Sequence, residues 1–436
     1  MAIDFLNELA WRGLLHQCTD EPGLREHLAG GRRRAYAGFD PTAESLTIGN
    51  LVPIMKLVHF ARAGHEPVVV MGGGTGLIGD PSGKSAERQL MTAETVAANV
   101  ASQRRIFEAV FAGAGVGTPR IVNNADWLVK LGYLEALRDI GKHFSVNMMV
   151  QKESVKARLE SREQGISYTE FSYMILQAYD FAHLHREMGV TVQMGGSDQW
   201  GNIVAGADLI RRIHAAEHGR DEAGAPRCFG LTCPLVTKAD GGKFGKTESG
   251  AIWLTRERTS PYAMHQFWLN TSDADVVRFL KLFTLLSRAE VDALAEAHAD
   301  DPGGREAQRA LAHHATTLLH GEDEARHAEQ AARALFSGDI AQLSRELLTE
   351  ALGEVPSSDH PRSALAGEGI AVLDLLVETG LAKSKREARE FLAGGSVSVN
   401  GEKAGPEDRL TERRLLHGEL IALRRGKKAW HLTRWA

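Results

Sequence analysis

Between residues 35 and 240, short apolar runs alternate with stretches of helical period, the pattern of a parallel sheet wound on both faces by helices. The run Arg34–Phe39 reads as a buried strand that breaks at Asp40-Pro41-Thr42. The segment Leu46-Thr47-Ile48-Gly49-Asn50-Leu51-Val52-Pro53 then opens a helix continuing through Met55, Leu57, Val58 and Phe60. A strand, a polar turn of small residues and a helix N-terminus together favour an anion. A second strand over 67–71 runs into a glycine cluster, Gly72 to Gly79, that ends on Asp80, and a further apolar run covers 229–236. Between about 128 and 187 the strand signal stops, and apolar spacing over 131–150 and 171–184 predicts inserted helices. From 260 to about 348 the chain is rich in alanine and leucine at helical spacing, whereas 353–367 concentrates proline, serine and glycine.

These patterns predict an α/β fold: a Rossmann-like doubly wound parallel sheet over 1–250, with a helical insertion at about 128–187 and a lysine loop at 243–247. An α-helical domain over 251–350, a linker over 351–366 and a small α+β RNA-binding domain over 367–436 are expected to follow. A length of 436 residues suits about three domains at ~150 residues each. With 43% hydrophobic and 25% charged residues the chain can bury a sizeable core. Cys18, Cys228 and Cys233 lack metal-ligand spacing, so neither a disulfide framework nor a zinc site is expected. No signal peptide or apolar run of spanning length is seen, so the expected setting is cytoplasmic, without a membrane partner.

The overall charge of −5 hides an asymmetry. From residue 381 onward, thirteen Lys and Arg face seven Asp and Glu, which points this end toward a polyanion. Ser384 caps a helix that carries Lys385, Arg386 and Arg389, the residues 397–399 form a strand before the Asn400-Gly401 turn, and Arg424, Arg425, Lys427 and Lys428 make a second basic cluster. A solvated charged helix is the plain alternative for either cluster alone.

The chemistry-bearing segment is Lys243-Phe244-Gly245-Lys246-Thr247. Two ammonium groups three residues apart on a glycine-flanked loop suit the gripping of a polyphosphate, although a solvated basic turn has the same composition. With its partners the loop resembles the lysine-loop signature of bacterial tyrosyl-tRNA synthetases, which are class I aminoacyl-tRNA synthetases. Further matches occur in family order: Tyr36 to Asp40, the Pro41 to Asn50 segment in place of the H-I-G-H signature, Thr75 to Asp80, Tyr173 with Gln177 and Asp180, and Gly195 to Asn202. Where that signature carries histidine at both ends, this chain has Thr47 and Asn50. Asparagine keeps an N–H donor, while threonine is short enough to need a water to reach phosphate.

The resemblance implies a tyrosine–tRNA ligase that activates L-tyrosine with ATP and Mg²⁺, without a tightly bound prosthetic group, and transfers it to tRNA(Tyr). Tyr36 and Asp180 match the pair that binds the phenol, and Tyr173, Gln177 and Asp80 match the ammonium site, with Gln199 near the carboxylate. Gly38, Asp40, Gly49, Asp198 and Lys246 match ATP-binding positions. Lys243, Lys246, Thr247, Thr42, Thr47, Asn50, Lys84 and Arg88 match groups that act on the phosphates. It also implies a homodimer joined partly through the insertion, with tRNA held by the basic C-terminal module. A tryptophanyl enzyme is the nearest alternative, and an RNA-binding protein that has lost activity is a more distant one.

Overall fold

The computed structural model describes residues 3–80, 90–152, 155–156, 159, 166–219, 224–242, 244–247, 250–353, 355–426 and 429–436. The chain divides into two compact units, residues 1–259 with 270–320, and residues 260–269 with 321–436.

The first unit is built on a six-stranded sheet ordered β1-β6-β5-β2-β3-β4, with β1 Gln17–Cys18, β2 Arg34–Phe39, β3 Glu66–Met71, β4 Arg120–Asn123, β5 Val190–Gly196 and β6 Phe229–Cys233. All neighbours are parallel except β1, which pairs antiparallel to β6. The two-residue β1 has no period for a sequence pattern to show. The chain lays down β2, β3 and β4 in one direction, then returns to place β5 and β6 on the other side of β2. The reversal between β2 and β5 leaves a crevice beyond their C-terminal ends, where open α/β sheets bind ligands.

Tyr36, Val68, Val70, Phe181, Leu184 and Val190 form part of the core between this sheet and the helix Tyr168–Met188. Helix Leu51–Arg62 is buried almost all round because the sheet covers one side and helix Asp273–Phe283 another. The stretch 131–150, expected as helix, is helical only in fragments: Tyr133–Glu135, a π-turn over Ala136–Ile140, a 3₁₀ turn over Gly141–His143, and Val146–Val150. Gly132, Phe144 and Ser145 are extended and bound the fragments, whereas Gly141 keeps helical dihedrals.

The helical stretch expected over 251–350 is shared between the two units. Helices Asp273–Phe283, Arg288–Asp300 and Glu306–His320 belong to the first. Two features tie them there. Gly113 lies so close to Leu318 that a Cβ would come within 2.3 Å of its carbonyl oxygen. The buried Arg12 guanidinium donates to the carbonyls of Lys281, Thr284 and Leu286, closing the end of Asp273–Phe283. Such carbonyls are left without helical partners and attract cations.

The second unit gathers helices Pro261–Leu269, Glu322–Ser337 and Arg345–Ala351 with a five-stranded sheet ordered β12-β11-β14-β15-β9 and a separate β10–β13 pair. The strands are β9 Ser357–His360, β10 Ile370–Ala371, β11 Val397–Val399, β12 Glu402–Lys403, β13 Arg409–Leu410, β14 Leu420–Arg425 and β15 Ala429–Trp435. The stretch read as a linker therefore contains a strand, β9, paired parallel to β15. Its polar composition fits an edge position. The β11–β12 hairpin turns on Asn400 and Gly401, with φ of 52° and 90°, the two left-handed positions of a tight hairpin turn. No helix among the described residues is long and apolar enough to cross a membrane.

Candidate active site

A cavity of about 630 Å³ opens beyond the C-terminal ends of β2 and β5. It is lined by Tyr36, Gly38, Asp40, Thr42, Thr47, Gly49, Asn50, Asp80, Tyr173, Gln177, Asp180, Asp198 and Gln199, which lie far apart in sequence. Its floor is kept open by two glycines: a Cβ on Gly38 would meet nothing within 4 Å, and one on Gly49 only the Thr47 hydroxyl at 3.8 Å.

Tyr36 is buried on β2 against Phe181, and its hydroxyl has no hydrogen-bond partner among the described residues. Burial, with the Asp180 carboxylate in addition, keeps this phenol protonated by raising its pKa well above the ordinary value. Asp180 is buried on helix Tyr168–Met188. One of its oxygens accepts from Asn124 Nδ2 at 2.9 Å and the other from Trp127 Nε1 at 2.7 Å. Burial pushes its pKa up to about 7, against the pull of these two donors.

Asn124 and Trp127 belong to no motif in the sequence. The Asn124 carbonyl oxygen accepts from Gly74 N–H at 2.7 Å, so its amide nitrogen must face Asp180 and Thr75. Trp127 stacks on His183 with ring centroids 4.5 Å apart. Their signal was their position, just after a parallel strand, at the end where such sheets place functional groups.

Polar contacts continue along the wall. Thr75 donates to one Asp40 oxygen and Tyr173 to the other, both at 2.8 Å. Tyr173, expected beside an ammonium, thus also touches an expected nucleotide-binding residue. Gln199 donates to Asp80 at 2.7 Å, and Asn202 bridges Gln177 and Gln199 through their carbonyl oxygens at 3.1 and 3.3 Å. Four lining carboxylates, Asp40, Asp80, Asp180 and Asp198, suit an ammonium and require cations for any polyphosphate.

Thr47 and Asn50 are joined to each other. The Asn50 carbonyl oxygen accepts both the N–H and the hydroxyl of Thr47, each at 3.0 Å. This fixes the carboxamide and leaves its NH₂ as the donor group.

Residues 46–48 are also joined to the segment that follows the lysine loop. Ile48 N–H donates to Ile252, Leu254 N–H to Leu46, and Ile252 N–H to Gly245. Gly245 has φ of 77°, and a Cβ there would come 2.3 Å from Ile48 Cγ2, so the contact requires glycine. Lys246 and Thr247 form β7, which pairs with β8 Gly250–Ala251. Lys243, Lys84 and Arg88 lie outside the described residues, as do Lys427 and Lys428.

In the second unit, Ser384 caps the helix Lys385–Ala393, on which Lys385, Arg386 and Arg389 are exposed. Lys385 pairs with Asp374 and Arg386 with Glu390. Arg424 and Arg425 face inward more than expected. Arg424 lies over Trp430 and donates to Leu335, while Arg425 lies over Phe391 and donates to Leu381.

Residues 29–337 match the family described as tRNA synthetases class I (W and Y), and residues 351–433 match the tyrosine–tRNA ligase SYY-like C-terminal domain. The chain is 50% identical over 436 residues to the tyrosine–tRNA ligase of Bacillus caldotenax, with both chains fully covered. It is 48% identical to that of Roseiflexus castenholzii, covering 98% of this chain and 99% of the relative. Among solved structures, a C-terminally truncated mitochondrial tyrosyl-tRNA synthetase from Aspergillus nidulans superposes with a TM-score of 0.69 at 33% identity, covering 76% of this chain and 94% of that one. A sheet reversal with a cavity at its C-terminal edge, and sequence identity across both units, lead to one assignment: the chain belongs to the class I tRNA synthetases of the tryptophan and tyrosine group, among the tyrosine–tRNA ligases.

Proposed function

We propose that the cavity binds tyrosine with its phenol between Tyr36 and Asp180 and binds ATP across the ends of β2 and β5. The chain is an ATP-dependent ligase that activates tyrosine as tyrosyl-adenylate and transfers it to the 3′ end of tRNA(Tyr). The observation that supports the residue assignment is the buried Tyr36 hydroxyl, without a hydrogen-bond partner among the described residues, lining the same cavity as a buried carboxylate. A phenol answers both; an indole has no hydroxyl to offer, and phenylalanine would leave the Tyr36 hydroxyl unpaired and bring the Asp180 carboxylate no further donor.

In this reading Asp80, Tyr173 and Gln177 receive the ammonium, and Gln199 orients the carboxylate. A carboxylate oxygen attacks the α-phosphorus, a P–O bond forms, and pyrophosphate departs as the opposite P–O bond breaks. The protein needs no covalent intermediate, so its contribution is positioning and charge stabilisation. Lys243, Lys246 and Thr247 hold the outer phosphates together with Thr42 and the Asn50 NH₂. Lys84 and Arg88 add positive charge as pyrophosphate leaves. Gly38 and Gly49 let the nucleoside lie close to the backbone, with Asp40 and Asp198 at its polar groups. ATP enters as its magnesium complex.

The working form is a homodimer in the cytoplasm. Its support is the apolar surface of the insertion, where Val129, Tyr133, Leu134, Val146 and Met148 are exposed and Leu134 reaches 79%. Lys385, Arg386 and Arg389 contact tRNA phosphates, joined by Lys427 and Lys428. Arg424 and Arg425 support that surface from within.

The decisive test is exchange of labelled pyrophosphate into ATP. Tyrosine should drive it, and tryptophan or phenylalanine should give at most a trace. Comparable exchange with phenylalanine would contradict the phenol assignment.

A pH dependence follows from Asp180. Its ionised form is the stronger acceptor for a phenol, and its pKa in the free protein stands at about 7. Tyrosine should bind more weakly as the pH falls from 8 to 6, and Asp180→Asn should flatten that slope. Tyrosine dissociation constants of the two proteins across this range check it, and equal slopes would remove Asp180 as the cause.

A further inference from the structure

Lys56 is a fully buried lysine on helix Leu51–Arg62, and no sequence motif drew attention to it. Its Nζ donates to the carbonyl of Gly195 at 2.7 Å and to that of Leu231 at 3.4 Å. The Cys233 thiol donates to the same Gly195 carbonyl at 3.4 Å. Among the described residues no carboxylate pairs with Lys56, and burial lowers the pKa of its ammonium.

Stability alone does not account for this lysine. Burying an ammonium costs several kcal/mol unless strong partners compensate, and two carbonyls do so only in part. A methionine of similar length would fill the same space without that cost. What distinguishes the position is the carbonyl it holds. Gly195 lies near the end of β5 and lines the cavity, followed directly by Gly196 and the turn Ser197–Gln199. Two successive glycines give that junction little conformational restraint of its own. The side chains just beyond it are Asp198 and Gln199, and Gln199 carries the contact to Asp80.

We infer that Lys56 is a positioning residue for tyrosine activation: by holding the Gly195 carbonyl from beneath, it fixes the turn that aims Asp198 and Gln199 at the two substrates. This rests on the reading of the cavity as the adenylation site. It assigns Lys56 no contact with substrate.

The test uses the full-length Lys56→Met and Lys56→Leu proteins, both of which remove the donor and keep apolar bulk. Tyrosine-dependent pyrophosphate exchange is measured per active site, with sites counted by the burst of adenylate. Melting temperature and the tyrosine dissociation constant are measured alongside. The expected result is a melting temperature at or above that of the wild type, a tyrosine dissociation constant within about threefold, and an exchange kcat lower by about ten- to hundredfold, the range caused by a misplacement of about 1 Å. Lys56→Gln, which keeps a donor, should recover part of the rate. Wild-type exchange per active site in either apolar variant overturns the inference. So does failure of both variants to fold, because the lysine is then structural. A wild-type protein without tyrosine-dependent exchange would instead defeat the reading of the cavity itself.

Discussion

Asp180→Ala should lower kcat/KM for tyrosine activation by roughly ten- to a hundredfold or more while sparing, or even improving, the feeble reaction with phenylalanine. The loss comes from two sources. A hydrogen bond to a charged acceptor contributes about 1.5–3 kcal/mol, and each 1.4 kcal/mol is about a factor of ten. The deletion also strands the Trp127 and Asn124 donors, which now end on the Asp180 oxygens. For phenylalanine the effect has the opposite sign, because its apolar ring no longer lies against a buried carboxylate. Exchange kinetics with both amino acids give the ratio directly. If the preference for tyrosine survives at full strength, the phenol is recognised elsewhere.

The second large effect concerns the two units. Every described residue lining the cavity lies at or before residue 244, and the first unit ends at residue 320. A chain ending at His320 should therefore keep tyrosine-dependent exchange within a few-fold. Its charging of tRNA should fall by at least about a hundredfold near physiological salt, because phosphate contacts dominate such affinity. Helix Pro261–Leu269 packs against Glu322–Ser337, so Met264 and Trp268, both buried in the full chain, should be made polar in this protein to keep it monodisperse. The intact protein should also lose charging activity steeply as salt rises, whereas exchange should not. Full charging by the shortened chain would take the basic module out of tRNA binding.

The part of the site legible in the sequence was the part set by local pattern. β2 and β3 announce themselves as apolar runs, and the polar residues at their ends fall where the sheet reversal requires them. Tyr36, Tyr173 and Asp180 could be named because they sit at motif spacing, and the fold brings them to one cavity. Asn124 and Trp127 could not, since their importance is a long-range pairing with Asp180, more than fifty residues later. The helical stretch after residue 251 shows the same limit. Its spacing is uniformly helical, but which helices pack with which unit depends on distant partners such as Arg12 and Gly113. Arg424 and Arg425 read as surface charge until Trp430 and Phe391 are found beneath them.

The Thr47–Asn50 pair constrains how this chain can change. Asn50→His alone would remove the carboxamide oxygen that accepts both the Thr47 hydroxyl and its backbone N–H. Thr47→His alone would keep the N–H contact but lose the hydroxyl that helps hold the Asn50 carboxamide. Either single step toward the two histidines of the family signature should therefore cost more than the double change, and a double-mutant cycle on adenylate formation measures the difference. Thr47 and Asn50 are therefore expected to change together, because each side chain is held by the other.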